Sequence, residues 1–251
     1  MKACIYIIAT KSHELQFTKL VNSIHKFHPD IEIVRFSDDD IKETKDPQIF
    51  YRATPYFAKK IMDQGYDLVI KMDADQIVTG SLDRLLVGDY EVGTVLNYNR
   101  VDPMRYGQIS VGTINPGAYY NCGLVAMTSR KFVEHWLRLC YTPHFDMLQY
   151  REQDLLNILT HYGDYKVLCF DEFTPEYSAW HGLVSKGEGL KMVVKGKEIV
   201  LPASPDGYPK HDKLIKVLHN AGGNNEKSVQ EVYRTQFSEE VIHRLTELME
   251  K

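Results

Sequence analysis

Asp73 and Asp75, separated by Ala74, are the residues best placed to do chemistry in this sequence. The 251 residues contain 18 aspartates, so about 1.3 Asp-x-Asp spacings are expected by chance, and spacing alone carries no weight. Asp38-Asp39-Asp40 offers a second copy, in a stretch that reads as a solvated acidic turn. Context separates the two. Asp73 and Asp75 end the apolar run Leu68-Val69-Ile70-Lys71-Met72, and strand alternation puts both carboxylates on one face, with Met72 and Ala74 on the other. At the carboxyl end of a parallel strand they face the crevice in which open α/β sheets bind ligands. Two close carboxylates repel unless a cation lies between them. A hard divalent ion, Mg2+ or Mn2+, bridging to a diphosphate meets that need. The plain alternative is a polar strand end bonded to a helix terminus.

The elements that must position this pair follow from periodicity. Ala3 to Ala9 is a continuous apolar run, as expected for a strand covered on both faces. Phe17, Leu20, Val21, Ile24 and Phe27 recur at helical steps, with Ser12 as N-cap and Pro29 as stop. Ile31 to Phe36 is a second strand. Thr54-Pro55 reads as an N-cap with proline at the first helical position, in a helix closed by Gly65. Alternating strands and helices over the first hundred residues predict an α/β fold with a mostly parallel central sheet and helices on both faces.

Beyond that, residues 97–116 read as a long loop and Tyr119 to Met127 as a strand. Ser129 caps a predicted helix to Cys140, and a further helix spans Arg151 to His161. Lys166 to Phe170 is strand, Met192 to Leu201 a hairpin broken at Lys195-Gly196-Lys197, and Ile215 to Leu218 a last strand entering His219. Ser238 starts a terminal amphipathic helix.

Composition bounds the function. With 43% hydrophobic and 25% charged residues, the chain is neither disordered, collagen-like nor a coiled coil. Its 30 basic and 34 acidic side chains give a net charge of −4, so no overall positive field gathers nucleic acid or an anionic membrane. The first apolar run is too short to span a bilayer. Cys4, Cys122, Cys140 and Cys169 lie far apart in or beside apolar runs, which predicts reduced core thiols and a cytoplasmic location. The length favours one domain.

Four segments carry a resemblance. Val69 to Val78, followed by Ser81-Leu82-Asp83-Arg84-Leu85, resembles the metal-binding segment of GT-A glycosyltransferases, and is most similar to glycosyltransferase family 8, which includes the glycogenins and bacterial galactosyltransferases. Tyr120 to Val125 resembles that family's Asn-x-Gly strand, Glu152 to Asn157 its Asp-Gln-x-x-Leu-Asn helix start, and Val217 to Gly222 its His-x-x-Gly turn. The resemblance covers residues 3 to about 227.

It implies a GT-A fold and transfer of a sugar, with retention of anomeric configuration, from a nucleotide-diphosphate sugar, UDP-linked, to a carbohydrate or other hydroxyl acceptor. It implies Asp73, Asp75 and His219 as metal ligands, Asn121 and Gly123 beside the donor sugar, and Glu152 and Gln153 as catalytic donor-site residues. Thr10 would lie at the base, Lys59 at the donor phosphates, and Ala74 and Gly222 along the donor. An Asp, Asp, His set suits Mn2+, with Mg2+ as the alternative. Residues 1–96 would form the nucleotide-binding half, 97–227 the sugar and acceptor half, and 228–251 a helical segment.

Two departures stand out. The family's Lys-Pro-Trp is missing, with Asn225 in the place of its lysine and Lys227 the nearest, and Glu152 replaces an aspartate. Inversion would instead need a base such as Asp171 or Glu172. Tyr98, Tyr106, Tyr119, Tyr120 and Trp180-His181-Gly182 are candidates to stack on acceptor sugars. Lys210-His211-Asp212-Lys213 and Lys216 form a modest basic patch. The rival activity is a haloacid-dehalogenase-type phosphatase with Asp73 as nucleophile, although that motif normally ends the first strand of its domain. The rival without turnover is a nucleotide-sugar-binding module.

Overall fold

The computed structural model describes residues 1–97, 104–106, 109–112, 119–171, 176–177, 179–180, 191–203, 209–219 and 237–251. The chain opens with β1 (Ala3–Ile8), α1 (Glu14–His25), β2 (Glu32–Phe36), α2 (Asp38–Glu43), α3 (Ala53–Met62) and β3 (Leu68–Asp73). It continues through β4 (Gln76–Val78), α4 (Asp83–Leu86), β5 (Val92–Leu96), β6 (Met104–Tyr106), β7 (Ile109–Gly112) and β8 (Tyr120–Met127). Then come α5 (Arg130–Cys140), α6 (Glu152–Tyr162), β9 (Val167–Cys169), β10 (Ala179–Trp180), β11 (Val193–Lys195), β12 (Glu198–Leu201), β13 (Lys213–Leu214), β14 (Val217–His219) and α7 (Glu239–Met249).

Six strands form the main sheet in the order β2-β1-β3-β8-β5-β9. β1 pairs in parallel with β2 and β3, and β5 in parallel with β9, whereas β8 runs antiparallel to both β3 and β5. This reversal matters for the site. The carboxyl ends of β1 and β3 share one edge of the sheet, and the reversed β8 brings its amino end, Asn121-Cys122-Gly123, to that same edge.

Alternation along β1 and β3 divides the core between the two faces. Ile5, Ile7, Leu68, Ile70 and Met72 pack with Leu20 and Ile24 of α1. Cys4, Tyr6 and Val69 pack with Phe57 and Ile61 of α3, Phe132 and Trp136 of α5, and Leu155 and Leu159 of α6. The sheet is therefore covered by helices on both sides, as its continuous apolar strands predict. A third cluster joins Ile77 of β4, Leu218 of β14 and Ile199 of β12 to Val241, Leu245 and Met249 of α7.

Several local expectations are revised. Ser12 does not cap α1: Lys11–His13 form a 3-10 turn first, and the cap position falls to His13. Asp38-Asp39-Asp40 is the first turn of α2, where Ser37 and Asp40 form a capping box, because carboxylates satisfy unpaired N–H groups at a helix start. α3 begins at Ala53, so Pro55 lies inside its first turn and Thr54 is released from capping. The stretch 97–116 contains the β6–β7 hairpin. Ser129 and Ser238 do cap, accepting from the N–H groups of Phe132 at 3.2 Å and Val241 at 3.4 Å. The β11–β12 hairpin turns at Gly196, whose φ of 66° lies in the left-handed region. None of the four cysteines is in a disulfide.

Candidate active site

β3 stops at Asp73, and the chain turns at Ala74-Asp75 before leaving as β4 for a second, three-stranded sheet. The two carboxylates therefore do not share one face of a continuous strand. What brings them together is β14, which pairs antiparallel with β4 in a register that sets His219 opposite Gln76. His219 Nε2 lies 3.3 Å from Asp75 Oδ1 and 3.5 Å from Asp73 Oδ2. One potential ligand atom from each of the three residues falls within a 4.8 Å cluster.

These residues fit a divalent ion on structural grounds. Asp75 Oδ1 is buried without a hydrogen-bond partner; its approach to His219 is an ion-pair distance without hydrogen-bond alignment. Such an atom costs free energy unless a cation or proton satisfies it. The donors are two carboxylate oxygens and one imidazole nitrogen, a set that suits Mn2+. The space around them is kept open by Gly123. A Cβ there would lie 2.3 Å from His219 Cε1, 2.6 Å from Asn121 Oδ1 and 2.9 Å from Asp73 Oδ2, so no larger residue fits without displacing the cluster.

Charge in the cluster is tightly balanced. Burial alone would lower the His219 pKa, but Asp75 and then Asp73 hold it at about 9. Burial would raise Asp73, yet the Lys71 ammonium and His219 bring it to about 2. Lys71 itself is 5% exposed, donates to Asp73 Oδ1 and, at 2.7 Å, to the Cys122 carbonyl oxygen. Asp73 outweighs the burial that would otherwise neutralise it.

The cluster sits in a cleft of about 480 Å3. Thr10, Asp73, Ala74, Asp75, Asn121, Gly123, Glu152, Gln153 and His219 all line it. Asn121 Oδ1 accepts from the Gly123 N–H at 2.6 Å, and Gln153 Oε1 from the Cys122 N–H at 2.9 Å. Glu152 accepts from the Thr54 hydroxyl at 2.7 Å and its N–H at 3.2 Å. Burial raises the Glu152 carboxyl to about 7 against the opposing pull of Lys71 and Thr54.

Lys59 is placed elsewhere. Its ammonium pairs with Asp63 one turn along α3 at 2.7 Å, and it does not line the cleft. Asp171 is likewise outside the cleft: it accepts from the N–H groups of Tyr177, Glu176 and Leu96 at 2.7, 2.9 and 3.2 Å. That is an anchoring role rather than one facing a substrate. Tyr119 is buried with its hydroxyl donating to Asp154 at 2.6 Å, and Tyr120 stacks on His161, so neither ring is free for a sugar. Asp212 pairs with Lys195 away from the cleft, and Lys216 lines a different hollow beside α7. Gly222, Asn220, Gly223, Asn225, Lys227, Glu172, Tyr98, His181 and Gly182 lie outside the described residues, as do the side chains of Tyr106 and Trp180.

Sequence reasoning missed four features of the lining. Lys71 announced itself only as a charge inside an apolar strand, two residues before Asp73 and so on its face. His13 accompanies Thr10, with Thr10 Oγ1 and His13 Nδ1 2.7 Å apart. Phe50, Tyr51 and Tyr150 present exposed rings at the cleft. Arg151 precedes Glu152 with φ 50° and ψ −118°, a conformation that only glycine adopts freely. Its guanidinium pairs with Asp146 and lies 4.9 Å above the Tyr51 ring.

The fold has known relatives. WbbM, a bifunctional glycosyltransferase, superposes with a TM-score of 0.57 at 14% identity over 98% of this chain, which spans 49% of WbbM. The galactosyltransferase LgtC, solved with donor and acceptor sugar analogues, gives 0.56 at 17% identity over 98% of this chain and 94% of its own. The glycosyltransferase GlyE of Streptococcus pneumoniae gives 0.52 at 14% identity over 100% of this chain and 60% of its own. No protein-family model matches the chain, and no curated protein sequence matches it. The mixed α/β chain thus has the GT-A glycosyltransferase fold, as its four motif segments imply.

Proposed function

We propose that the protein is a metal-dependent glycosyltransferase that moves a sugar from a nucleoside-diphosphate donor, UDP-linked, to a hydroxyl acceptor on a carbohydrate or similar molecule. The observation that carries this is the convergence of Asp73, Asp75 and His219 around a space that Gly123 keeps clear. A divalent ion there, Mn2+ before Mg2+, would stabilise negative charge on a departing nucleoside diphosphate.

The chain's own residues supply position. Thr10 and His13 line the cleft beyond the carboxyl end of β1, on the side where the base of a nucleotide would rest. Asn121 and Gln153 are fixed through their side-chain oxygens by backbone N–H groups of β8. That leaves the Asn121 amide N–H2 to donate to sugar hydroxyls, while the Gln153 amide is shared with the Tyr119 hydroxyl. Glu152 and Gln153 are the candidates for contact with the anomeric region.

Retention rests on the resemblance to family 8, and one observation favours it. Among the described residues the carboxylates lining the cleft are Asp73, Asp75 and Glu152. The first two converge with His219 and the third is held by Thr54, whereas Asp171, one of the two candidate bases for inversion, is tied to backbone N–H groups elsewhere; the other, Glu172, lies outside the described residues. The phosphatase alternative gains nothing from the structure, since Asp73 ends the third strand and one of its oxygens is held by Lys71.

A thermal-shift series with UDP, other nucleoside diphosphates and UDP-sugars, with and without Mn2+, tests the proposal, because a ligand selective for the folded state raises the melting temperature. Mn2+-dependent stabilisation by UDP is expected. Stabilisation by no nucleoside diphosphate under any metal condition overturns it, and an acyl-phosphate trapped on Asp73 would establish the phosphatase.

A further inference from the structure

Lys71 is a buried cation one hydrogen bond behind the candidate metal ligands. β3 carries it on the same face as Val69, toward α3, α5 and α6, where the surroundings are apolar. A charge in that position must be paired. Its ammonium binds the Cys122 carbonyl oxygen at 2.7 Å and Asp73 Oδ1, and it lines the floor of the cleft.

Two consequences follow for an ion between Asp73 and Asp75. Lys71 engages Asp73 Oδ1, so the less encumbered oxygen is Oδ2, which faces His219. The two carboxylates also no longer present two net negative charges, because Lys71 cancels one at close range. Affinity of an oxygen site for a divalent ion follows the charge and number of its ligands. Lys71 therefore opposes a lone cation and favours an anion in the cleft.

We propose that Lys71 sets the metal affinity of this site, keeping binding of a divalent ion weak in the empty cleft and tight only when a diphosphate group is present. This deepens the proposed function and rests on it for the identity of the diphosphate. Metal and diphosphate then bind as a coupled pair, each raising the affinity of the other by the same factor. Lys71 acts as a positioning residue through Asp73 and as a fixed charge beneath the diphosphate. It also places a cation in the cleft, which Lys59, bonded to Asp63, does not.

The test measures Mn2+ binding from the loss of the free-ion electron paramagnetic resonance signal beyond that in protein-free controls holding the same UDP or inorganic pyrophosphate, with and without those anions, in the wild type and in Lys71→Met. In the wild type, pyrophosphate or UDP should tighten Mn2+ by roughly 5- to 150-fold. Lys71→Met should bind Mn2+ alone about tenfold more tightly or better, and metal-free pyrophosphate more weakly. Opposite signs for cation and anion are the signature, since a merely structural lesion weakens both. Lys71→Gln retains a donor for the Cys122 carbonyl without the charge, and serves if the methionine variant fails to fold. Mn2+ binding by either folded variant that is unchanged or weaker overturns the proposal. So does wild-type Mn2+ binding that neither pyrophosphate nor UDP tightens, which needs no variant. Coupling to pyrophosphate without coupling to UDP leaves the Lys71 proposal standing and removes the nucleotide assignment.

Discussion

His219 reaches Asp75 through a strand pair rather than through proximity in sequence: β14 lies antiparallel to β4, and the imidazole Nε2 stands 3.3 Å from Asp75 Oδ1. Asp75→Ala should therefore abolish the Mn2+-dependent part of any nucleotide thermal shift. Its metal-free fold should persist, with the loss confined to the Asp75–His219 ion pair, because Asp75 Oδ1 makes no aligned hydrogen bond. An undiminished Mn2+ effect in this variant would remove Asp75 from the ligand set.

Asp73 differs from Asp75 in its dependence on Lys71. Asp73→Ala leaves a buried ammonium without its carboxylate. Because the Asp73 side chain is 39% exposed, solvent tempers the loss, and removing its side of the pair costs about 1–3 kcal/mol. Chemical denaturation should show Asp73→Ala far less stable than Asp75→Ala, and Asp73→Ala combined with Lys71→Met should recover much of the difference.

Gly123 is required for space. Gly123→Ala forces a methyl to within 2.3 Å of His219 Cε1 and 2.9 Å of Asp73 Oδ2. His219, Asn121 and Asp73 must then give way. Overpacking of this kind costs about 1–3 kcal/mol of stability, and Mn2+ binding and sugar transfer should fall by about 100-fold or more, since misplacement by about 1 Å is enough for that. Titration with Mn2+ and a UDP-release assay check the two effects separately.

Glu152 gives the stability a pH dependence of defined sign. Burial holds its folded-state pKa near 7, above the ordinary glutamate value of 4.5. Between those values the folded protein keeps a proton that the unfolded chain has lost, so Glu152 contributes less to stability as pH rises through that window. The slope is at most about 1.4 kcal/mol per pH unit from one group. Glu152→Gln should make the decline between pH 4.5 and 7 less steep in urea-unfolding series, leaving the dependence contributed by Asp171, which burial raises from 3.8 to about 7.

Asp171 and Lys59 mark the edges of the site. Asp171→Asn sets an amide N–H2 against a backbone donor it now accepts from, and should cost about 1–3 kcal/mol. Transfer per folded molecule should be unchanged. Lys59→Ala removes an exposed i,i+4 pair with Asp63, worth about 0.5 kcal/mol or less, and UDP affinity should not change. A large loss of activity in folded Asp171→Asn would restore it as a base, and a lost UDP affinity in Lys59→Ala would return that lysine to the donor site.

Most of the strands and helices were legible because each must bury a face, and burial leaves a period in the sequence. β1, β3, β8 and α5 follow their apolar patterns closely. The boundaries that shifted, at Ser12 and Thr54, and the acidic stretch Asp38-Asp39-Asp40 that became a helix start, are places where local side-chain contacts decided the cap. Thr54, read as a cap, instead donates to Glu152 at the start of α6, 98 residues away in sequence. No local pattern encodes that preference.

The candidate ligands were legible one by one, as an acidic strand end and a histidine closing an apolar strand. Their convergence was not. It depends on β8 running backwards, so that Gly123 arrives at the carboxyl edge of β3, and on the β4–β14 register, which sets His219 beside Asp75. Lys71 shows the same division: its sequence position placed it on the face of Asp73, while only packing made it a buried charge bonded to that carboxylate. Sequence by itself determined the elements, through periodic burial, and the residue types able to hold a cation. Tertiary structure decided which of them meet, because strand order and register are set by contacts between segments that local periodicity does not specify.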